Sequence, residues 1–468
     1  MIEKVLHLLQ ERKFAEVKIA ALDMHYADIA EVLRELDGNW ESALLFFRLL
    51  PKELAAETFA YTEPDVQAHI IGAITDKELR YILSELYLDD YVDIIEELPA
   101  NVVKRVLSNS SGENRKLINE YLQYPDKSAG SIMTNEYIYI KQTVTVQQAL
   151  SIIRTTGIDK ETIDNCYVIN SQHHLDGVVS LREIILANPE TLVADVMRTN
   201  VISINTHDHQ EQVAQLFSKY DMLAMPVVDN EERLVGIITI DDVIDVLQAE
   251  TTEDMEKMAA ILPSDKPYFR TSVVETWKSR IMWLLVLMIS ATFTSMILMH
   301  YEAVLSGGLI AFIPMLMNTG GSSGSQSSVT IIRGLSLGEV SFSDILKVIW
   351  KEARVAILCG ITLAACNFAK LMVFDRVGIY VASVVSLTLI CTVFFSKISG
   401  GVLPMLAKKL GFDPAVMASP FITTIVDAIS LLILCRGIGV INLKPGSIKL
   451  LSGPSFGLHP SKAGLKGG

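Results

Sequence analysis

An apolar run near the C-terminal end of the chain, Phe421–Cys435, contains one charged residue, Asp427. A carboxylate inside a bilayer costs at least about 2.5–3.5 kcal/mol on insertion scales, so such residues usually face a polar cavity or an ion path. Two other interpretations stay open: an aspartate near a helix end that reaches the interface, and a packing partner for a lysine. The run therefore predicts a membrane-spanning chain whose chemistry centres on one carboxylate.

The charge of the chain is divided unevenly between two halves. Residues 1–270 contain 46 acidic and 24 basic residues, a net charge of −22, whereas residues 271–468 contain 8 acidic and 16 basic residues, a net charge of +8. A surplus this acidic disfavours nucleic acid as a partner and favours cations. We therefore expect a water-exposed N-terminal half, followed by a membrane half, and no nucleic-acid partner.

Residues 1–127 repeat a short amphipathic pattern. The segments AEVLREL, ELRYILSEL and YVDIIEEL place apolar residues at i, i+3, i+4 and i+7, as in helices with one buried face. The segment ALLFFRLLPKELAAETF also resembles YVDIIEELPANVVKRVL, and each contains a Leu-Pro step, at Leu50 and at Leu98. Helix pairs that repeat in this way stabilise one another by stacking, which predicts an all-α superhelical N-domain.

Residues 128–247 contain a second duplication, in which each half reads as an entry segment, an extended segment, a helix, a strand, a turn, a strand and a helix. The steps Gly177–Ser180 and Gly236–Thr239 are similar to those of tandem cystathionine-β-synthase (CBS) domains, which implies an α/β fold. In that family a hydroxyl and an acid three residues later contact the ribose and phosphate of a nucleotide. Thr239 and Asp242 match this pattern, so the resemblance implies a site for a nucleotide such as ATP. A purely structural role for the two residues is an equal alternative.

Five apolar runs near the ~20 residues needed to cross a hydrocarbon core follow. The more polar stretch Ile332–Lys351 predicts an interfacial helix on the cytosolic side. Lysine and arginine are concentrated on one side of the predicted spans, which places the N-terminal half in the cytosol and the C-terminus outside. The predicted spans are Ile281–Met299, Ala303–Ile332, Val355–Val373, Ile379–Phe395 and Phe412–Cys435.

These patterns divide the chain into five parts. We predict a helical N-domain at 1–127, tandem α/β domains at 128–247, a connecting helix and Pro-broken linker at 248–275, and an α-helical transmembrane domain of five helices at 276–443. The Gly/Ser/Lys-rich residues 444–468 have no periodicity, and we expect them to be a disordered tail whose origin in the native gene is left open.

The second predicted span contains the segment PMLMNTGGSSGSQSS, from Pro314 to Ser328. Its glycines and small hydroxyl residues allow either close helix packing or exposed backbone carbonyls beside a water-filled path. Together with Asp427, this segment favours a path for a hydrated cation. Carbonyls, hydroxyls and one carboxylate, with waters retained, suit Mg²⁺, because this ion prefers oxygen ligands and dehydrates reluctantly.

The arrangement as a whole, over about residues 1–442, resembles the MgtE-type magnesium channels and transporters. The specific motifs are TGGSSGSQSSVTIIRGL in the second span and DPAVMASPFITTIVDAISLLI in the fifth. The resemblance implies a non-enzymatic homodimer in the lipid of the cell membrane that conducts Mg²⁺ into the cytosol and closes when cytosolic Mg²⁺ binds. The implied ion-path residues are Asp427, Gly321, Gly324, Ser322, Asn318, Ser419 and Thr423.

Two residues depart from the family pattern. Ser322 and Ser419 stand where the family commonly has asparagine, so each keeps an oxygen but lacks an amide. This departure leaves ion selectivity open, and the alternative function is transport of another divalent cation, Co²⁺ or Mn²⁺, with the same regulatory design.

The resemblance also implies sensing of cytosolic Mg²⁺ by acids on the N-domain, the CBS pair and the connecting helix. For any one of these acids solvation alone is the better interpretation, but three acidic faces that repel one another without cations form a switch as a group. The implied regulatory ligands are Asp89, Asp90, Asp93, Glu211, Asp221, Asp245, Glu250, Glu253 and Asp254.

Two other classes of protein are disfavoured by the residues themselves. An intramembrane metalloprotease would need the motif HExxH, whereas His300 is the sole histidine of the membrane region before the tail. A CBS-regulated chloride channel would favour a cationic lining and helix N-termini, which a lone acid does not provide.

Overall fold

The structure is a computed structural model that describes residues 1–440 except 37, 265–267, 270, 302–308 and 418. It describes the side chains of these residues except those at 89, 113, 159, 309, 417, 419, 420 and 436–440. The predicted tail and the predicted external C-terminus lie outside the described residues. The chain divides into two compact units, Met1–Leu247 and Gln248–Gly468.

Ten helices occupy the described part of residues 1–127, as the repeated amphipathic pattern predicts. Their apolar faces form the core, where Ile29, Leu33 and Leu79 are fully buried. The two Leu-Pro steps separate helices, since Pro51 and Pro99 are the N-caps of the helices that follow them. The helices are α1 (Ile2–Gln10), α2 (Phe14–Leu22), α3 (Tyr26–Glu35), α4 (Trp40–Leu49), α5 (Lys52–Ala60), α6 (Pro64–Ala73), α7 (Asp76–Glu85), α8 (Leu88–Glu97), α9 (Ala100–Asn109) and α10 (Gly112–Tyr121).

Two three-stranded sheets follow, and they confirm the α/β prediction for the duplicated segment. In each sheet the first two strands are parallel and the last two are antiparallel. The strands are β1 (Ile138–Lys141), β2 (Asn165–Ile169), β3 (Leu175–Ser180), β4 (Ile204–Asn205), β5 (Ala224–Val228) and β6 (Leu234–Thr239). The helices are α11 (Val146–Thr156), α12 (Leu181–Leu186), α13 (Val193–Val196), α14 (Gln210–Tyr220) and α15 (Ile240–Met258).

The two predicted glycine steps are explained by close packing against the entry segments. A Cβ at Gly236 would lie 2.7 Å from the sulfur of Met133, and a Cβ at Gly177 would lie 2.8 Å from the sulfur of Met197. Met133 belongs to the entry of the first half and Gly236 to the second half, so the first half contributes an entry segment to the sheet of the second. Glycine is favoured at both positions because a Cβ would also lie 2.9 Å from the backbone carbonyl oxygen of Thr134, or 3.0 Å from that of Arg198, which cannot move aside as a methionine side chain can.

The connecting helix differs from its prediction as a separate element. No new helix begins at residue 248, because α15 runs without a break from Ile240 to Met258. The sequence from 240 to 258 contains neither glycine nor proline, so nothing in it stops the last helix of the duplicated segment.

Five long helices lie in the described part of residues 273–440. α17 packs against α19 and α20, and α18 packs against α19. Among the described residues, three helical segments are long and apolar enough to cross a membrane, namely 273–300, 342–373 and 379–409, and a shorter apolar segment is 421–435. The helices are α16 (Val273–His300), α17 (Ile313–Ser336), α18 (Ile345–Val373), α19 (Ile379–Lys409) and α20 (Ser419–Val440).

Several predicted boundaries of these helices were wrong. The predicted interfacial helix does not form, because the chain turns at Gly338, which has a φ of +69°, and Ser341 then caps a short turn that leads into α18. Lys347 and Lys351 therefore belong to the first turns of α18. α19 also continues beyond Phe395, and the predicted start of the second span lies partly outside the described residues.

Candidate functional site

A cavity of about 1150 Å³ lies against α17 and α20. Five residues predicted from the sequence line it together: Asn318, Gly321, Ser322, Thr423 and Asp427. The other lining residues are Pro314, Met317, Ser325, Gln326, Val329 and Thr330. Most polar groups of the wall are oxygens of hydroxyl, amide and carboxylate side chains, and no lysine or arginine is among them.

The close approach of α20 to α17 depends on two adjacent glycines of α17. A Cβ at Gly320 would lie 2.8 Å from Val426, and a Cβ at Gly321 would lie 2.8 Å from the side chain of Thr423. α17 is helical throughout this segment, so its glycines serve close packing and not exposure of a non-helical backbone. Of the two sequence interpretations, the structure supports the packing one.

Gly324, predicted as an ion-path residue, lies on a different face of α17. A Cβ there would be 2.6 Å from Ile422 and 2.7 Å from the hydroxyl of Ser396. A Cβ at Gly400 of α19 would in turn collide with the backbone carbonyl of Gly324. Gly324 therefore brings α19 against α17 and does not line the cavity.

Asp427 lies in the middle of α20, about 12 Å from its first residue at 1.5 Å per residue. Its side chain is half-buried and lines the cavity. No described lysine or arginine forms an ion pair with it. The structure therefore does not support the interpretation that Asp427 is a packing partner for a lysine. The remaining arrangement is a carboxylate that faces an oxygen-lined space.

At three further residues the structure differs from the sequence prediction or does not test it. Ser419 begins α20, but its side chain lies outside the described residues. Gln326 and Ser325 line the cavity although they were not predicted. Both could have been found from Asn318, because positions i+7 and i+8 share its face of a helix.

The acidic end of α15 contacts the segment before α20 through one lysine. Lys257 forms an ion pair with Glu253, one turn earlier, and its ammonium lies 2.6 Å from the carboxylate of Asp413. Burial acts to lower the pKa of Lys257, but the hydrogen bonds to Asp413 and Glu253 outweigh it and raise that pKa. Met258 adds an apolar contact with Ile332 and Ala415. Part of the predicted metal-binding surface is thus occupied by the chain's own ammonium group.

The predicted regulatory acids are spread over several elements. Asp90 and Asp93 lie on α8, while the side chain of Asp89 lies outside the described residues. Within the described residues no group of three metal-binding side chains converges on one point. The other acids are placed as follows: Glu211 in the first turn of α14, Asp221 at its C-cap, Asp245, Glu250 and Glu253 along α15, and Asp254 at 3.4 Å from the hydroxyl of Ser336.

The predicted nucleotide residues contact each other. The hydroxyl of Thr239 donates a hydrogen bond to the carboxylate of Asp242 at 2.8 Å. In the first half, Ser180 and Glu183 form the equivalent pair, at 2.8 Å, as part of a capping box at the start of α12. Each pair lies at the step from the last strand of its half to the helix that follows, so the structural interpretation of these residues is satisfied in both halves.

Known proteins are similar to this chain over most of its length. Family models match as follows: an MgtE intracellular N domain at residues 24–127, CBS domains at 129–190 and 193–249, and MgtE, described as a divalent cation transporter, at 313–436. A magnesium transporter MgtE from Thermus thermophilus is 36% identical over 431 residues, which cover 91% of this chain and 95% of that protein. A magnesium transporter MgtE from Bacillus subtilis is 32% identical and covers 92% of this chain and 95% of its own length.

A solved structure supports the assignment of the first half. The crystal structure of the cytosolic domain of the Mg²⁺ channel MgtE in complex with ATP is 35% identical, has a TM-score of 0.50, and covers 53% of this chain and 100% of that chain. The full-length relatives are named as transporters, so the prediction that the chain is not an enzyme is confirmed. The chain belongs to the MgtE family of divalent cation transporters, with cytosolic N-terminal and CBS domains ahead of an apolar helical region.

Proposed function

We propose that this protein conducts Mg²⁺ across the cell membrane into the cytosol through the cavity between α17 and α20. The observation that carries the proposal is the single carboxylate of Asp427 in a wall of hydroxyl and amide oxygens. Mg²⁺ prefers such ligands and usually keeps several waters. The relatives that extend over most of the chain are named magnesium transporters.

The size of the cavity fits a hydrated ion. Six waters at about 30 Å³ each occupy about 180 Å³, so an ion with its first hydration shell fits well within the cavity. We therefore infer that the wall oxygens contact Mg²⁺ through water and that Asp427 supplies the charge that attracts it.

Replacement of Asp427 by asparagine tests this proposal. Asp427→Asn keeps the shape of the side chain and removes the charge, so Mg²⁺ uptake into proteoliposomes should fall at least tenfold at unchanged protein folding. Glu339→Gln is the matched control, because Glu339 is an exposed acid in the turn between α17 and α18. Uptake by Asp427→Asn at the rate of the control would show that the ion does not pass this carboxylate.

We also propose that two copies of the chain form the complete path. Among the described residues of one chain, the cavity is bounded by α17 and α20, so its open side is available to the same wall of a second copy. In this arrangement the lipid of the plasma membrane surrounds the dimer, and the C-terminus is external. Cross-linking of single cysteines introduced at Val329, on the cavity wall, should yield a disulfide-linked dimer in membranes, and a monomer at every protein concentration would exclude this arrangement.

The departure of Ser322 and Ser419 from the commoner asparagine keeps Co²⁺ or Mn²⁺ as an alternative cargo. Both ions accept oxygen ligands, although Mn²⁺ and Co²⁺ bind nitrogen ligands more readily than Mg²⁺ does. Competition between Mg²⁺ and each of the two ions in the same uptake assay decides between them. Transport of Co²⁺ or Mn²⁺ that Mg²⁺ does not inhibit would favour the alternative.

For regulation, we propose that cytosolic Mg²⁺ closes the path by joining acidic faces of the N-domain, the CBS pair and α15. The support is the net charge of −22 over residues 1–270 and the position of Asp245, whose pKa is raised by burial and by the neighbouring Asp241. Carboxylates held this close repel one another, and a bound cation relieves that repulsion. Several weak sites must act together, because a ligand shifts an equilibrium only through its differential affinity for the two states.

Limited proteolysis of the full-length protein tests this regulation. Millimolar Mg²⁺ should protect the segments near Pro125 and Pro263, and combined neutralisation of Asp221, Asp245 and Glu250 should remove the protection and leave transport active at high Mg²⁺. Equal cleavage with and without Mg²⁺, at matched ionic strength, would contradict the regulatory proposal and leave the transport proposal intact.

We propose ATP as a second regulatory ligand, bound at Thr239 and Asp242. The support is the related cytosolic domain that was crystallised with ATP. ATP should raise the melting temperature of the wild-type protein but not that of Thr239→Ala. An equal shift in both would place the nucleotide elsewhere.

A further inference from the structure

Three buried polar side chains meet at one point of the membrane unit, outside the cavity wall. Glu352 of α18 is 8% exposed, Ser327 of α17 is 3% exposed, and Lys397 of α19 is 5% exposed. Each belongs to a different helix, so the contact joins α17, α18 and α19. We refer to these three residues as the Glu–Ser–Lys bridge.

The hydrogen bonds of the bridge lead from the ammonium of Lys397 through the hydroxyl of Ser327 to the carboxylate of Glu352. The ammonium of Lys397 lies 3.4 Å from the hydroxyl oxygen of Ser327, and the hydroxyl of Ser327 donates to the carboxylate of Glu352 at 2.6 Å. Ser327 therefore lies between two opposite charges that form no direct ion pair with each other. A buried charge is costly without a partner, so the two helices α18 and α19 each depend on Ser327 for the satisfaction of their charged group.

Ser327 lies on the side of α17 opposite the cavity. It follows Asn318 by nine residues, which at about 100° per residue is half a turn around the helix axis. Lys397 also lines a second cavity of about 570 Å³, and Asn318, Ser322 and Gln326 line both cavities. These three residues thus stand on the boundary between the space of Asp427 and the space of Lys397.

The rotation of α17 about its axis decides which of the two cavities receives these oxygens. A side-chain oxygen about 5–6 Å from a helix axis moves by about 2 Å when the helix rotates by about 20°. A displacement of that size is enough to break a water-mediated contact between the oxygen and the ion. The contacts that set the rotation of α17 therefore affect which oxygens meet the ion.

We propose that Glu352, Ser327 and Lys397 are positioning residues for ion transport, and that their bridge holds α17 in the rotation that directs Ser322 and Gln326 toward the cavity of Asp427. They do not touch the ion; they act through α17. The inference rests on the proposed transport function. A wild-type protein without Mg²⁺ uptake would refute that function, whereas normal uptake by bridge variants would refute the bridge alone.

The decisive variant is Ser327→Ala, with Ser328→Ala as its matched control. Ser328 is the next residue of the same helix and is equally buried, and within the described residues its hydroxyl has no hydrogen-bond partner. Both changes remove one hydroxyl of the same size. We expect Ser327→Ala to lower Mg²⁺ uptake per folded protein at least fivefold and to change the ratio of Co²⁺ to Mg²⁺ uptake at least threefold, whereas Ser328→Ala stays within twofold of wild type.

The two charged residues of the bridge give a second test, because the effect of replacing one should depend on whether the other is present. Glu352→Gln and Lys397→Met should each impair uptake more than Ser327→Ala, because each leaves the opposite charge buried alone. The double variant should be less impaired than the worse single variant, since no lone charge remains.

Melting temperature and the dimer fraction on gel filtration separate positioning from stability. A merely structural bridge would lower the amount of folded protein and leave uptake per folded protein and the Co²⁺ to Mg²⁺ ratio unchanged, and that result would overturn the proposal. Equal behaviour of Ser327→Ala and Ser328→Ala in rate and ion ratio would overturn it as well, even if the charged variants do not fold.

Discussion

Lys257 offers a direct perturbation of the contact between α15 and the segment before α20. Its ammonium joins Glu253 and Asp413, and the three side chains are 22%, 19% and 35% exposed. An exposed ion pair contributes about 0.2–1 kcal/mol, whereas removal of one partner from a buried pair costs about 3–5 kcal/mol. For partly exposed groups we take about 1.5 kcal/mol, which corresponds to about a tenfold change in an equilibrium constant.

Lys257→Gln should therefore weaken the docking of α15 about tenfold when Mg²⁺ is absent. In the regulatory proposal, docked α15 belongs to the closed state, so uptake measured at micromolar Mg²⁺ should rise in this variant. The change also leaves Glu253 and Asp413 without their ammonium partner, which makes both carboxylates better ligands for a cation. Closure by millimolar Mg²⁺ should then be retained and become steeper.

The measurement is the initial rate of ²⁸Mg²⁺ uptake against internal Mg²⁺ in proteoliposomes. Lys278→Gln is the control, because Lys278 is exposed near the start of α16 and has no ion pair among the described residues. Asp413→Asn should also raise uptake at low Mg²⁺, but it should not make closure steeper, since it removes a cation ligand. Identical concentration dependence for Lys257→Gln and Lys278→Gln would refute the reasoning.

Two further predictions concern one residue of each compact unit. Ser322→Asn restores the commoner family residue on the cavity wall, and we expect the ratio of Co²⁺ to Mg²⁺ uptake to change more than the melting temperature does. Glu136→Ala removes the carboxylate that accepts hydrogen bonds from the backbone N–H of Leu88 at 3.3 Å and from the hydroxyl of Thr134 at 3.0 Å. Because Leu88 begins the acidic helix α8, loss of this cap should destabilise the cytosolic unit by about 1 kcal/mol in denaturant unfolding, and an unchanged midpoint would show that the contact is dispensable.

The cavity wall could be predicted because its residues follow short-range patterns. Asp427 stands out as a lone charge in an apolar run, and Asn318, Ser322 and Gln326 repeat at the four-residue spacing of one helix face. These features depend on local periodicity, which the chain contains in plain form. The same is true of the helix pairs of the N-domain and of the duplicated sheets, where each element repeats with its own turn residues.

The contacts that hold the site in place could not be predicted in this way. Lys257 and Asp413 are 156 residues apart, and Lys397 is 70 residues from Ser327. Nothing in the local sequence of Lys257 distinguishes it from a solvated lysine. Lys397 stands out as a lone charge in an apolar run, but that run does not indicate its partners on α17 and α18. Gly324 illustrates the same limit, because the composition of its segment indicates close packing or an ion path, but only the positions of α19 and α20 decide which glycine serves which purpose.

The structure divides the polar and small residues of α17 among three tasks according to helix face. One face presents Asn318 and Ser322 to the cavity, a second has Gly324 and its neighbours under the adjoining helices, and a third has Ser327 between two buried charges. Between Asn318 and Ser328, α17 contains no large apolar residue, so its middle turns have no apolar side chain to fix their rotation. Packing of the glycines brings α17 close to its neighbours. Because glycine has no side chain to interlock with a neighbour, a directional contact is needed to fix the rotation of α17 about its axis. Buried, charge-assisted hydrogen bonds are directional, and the Glu–Ser–Lys bridge is where α17 has them.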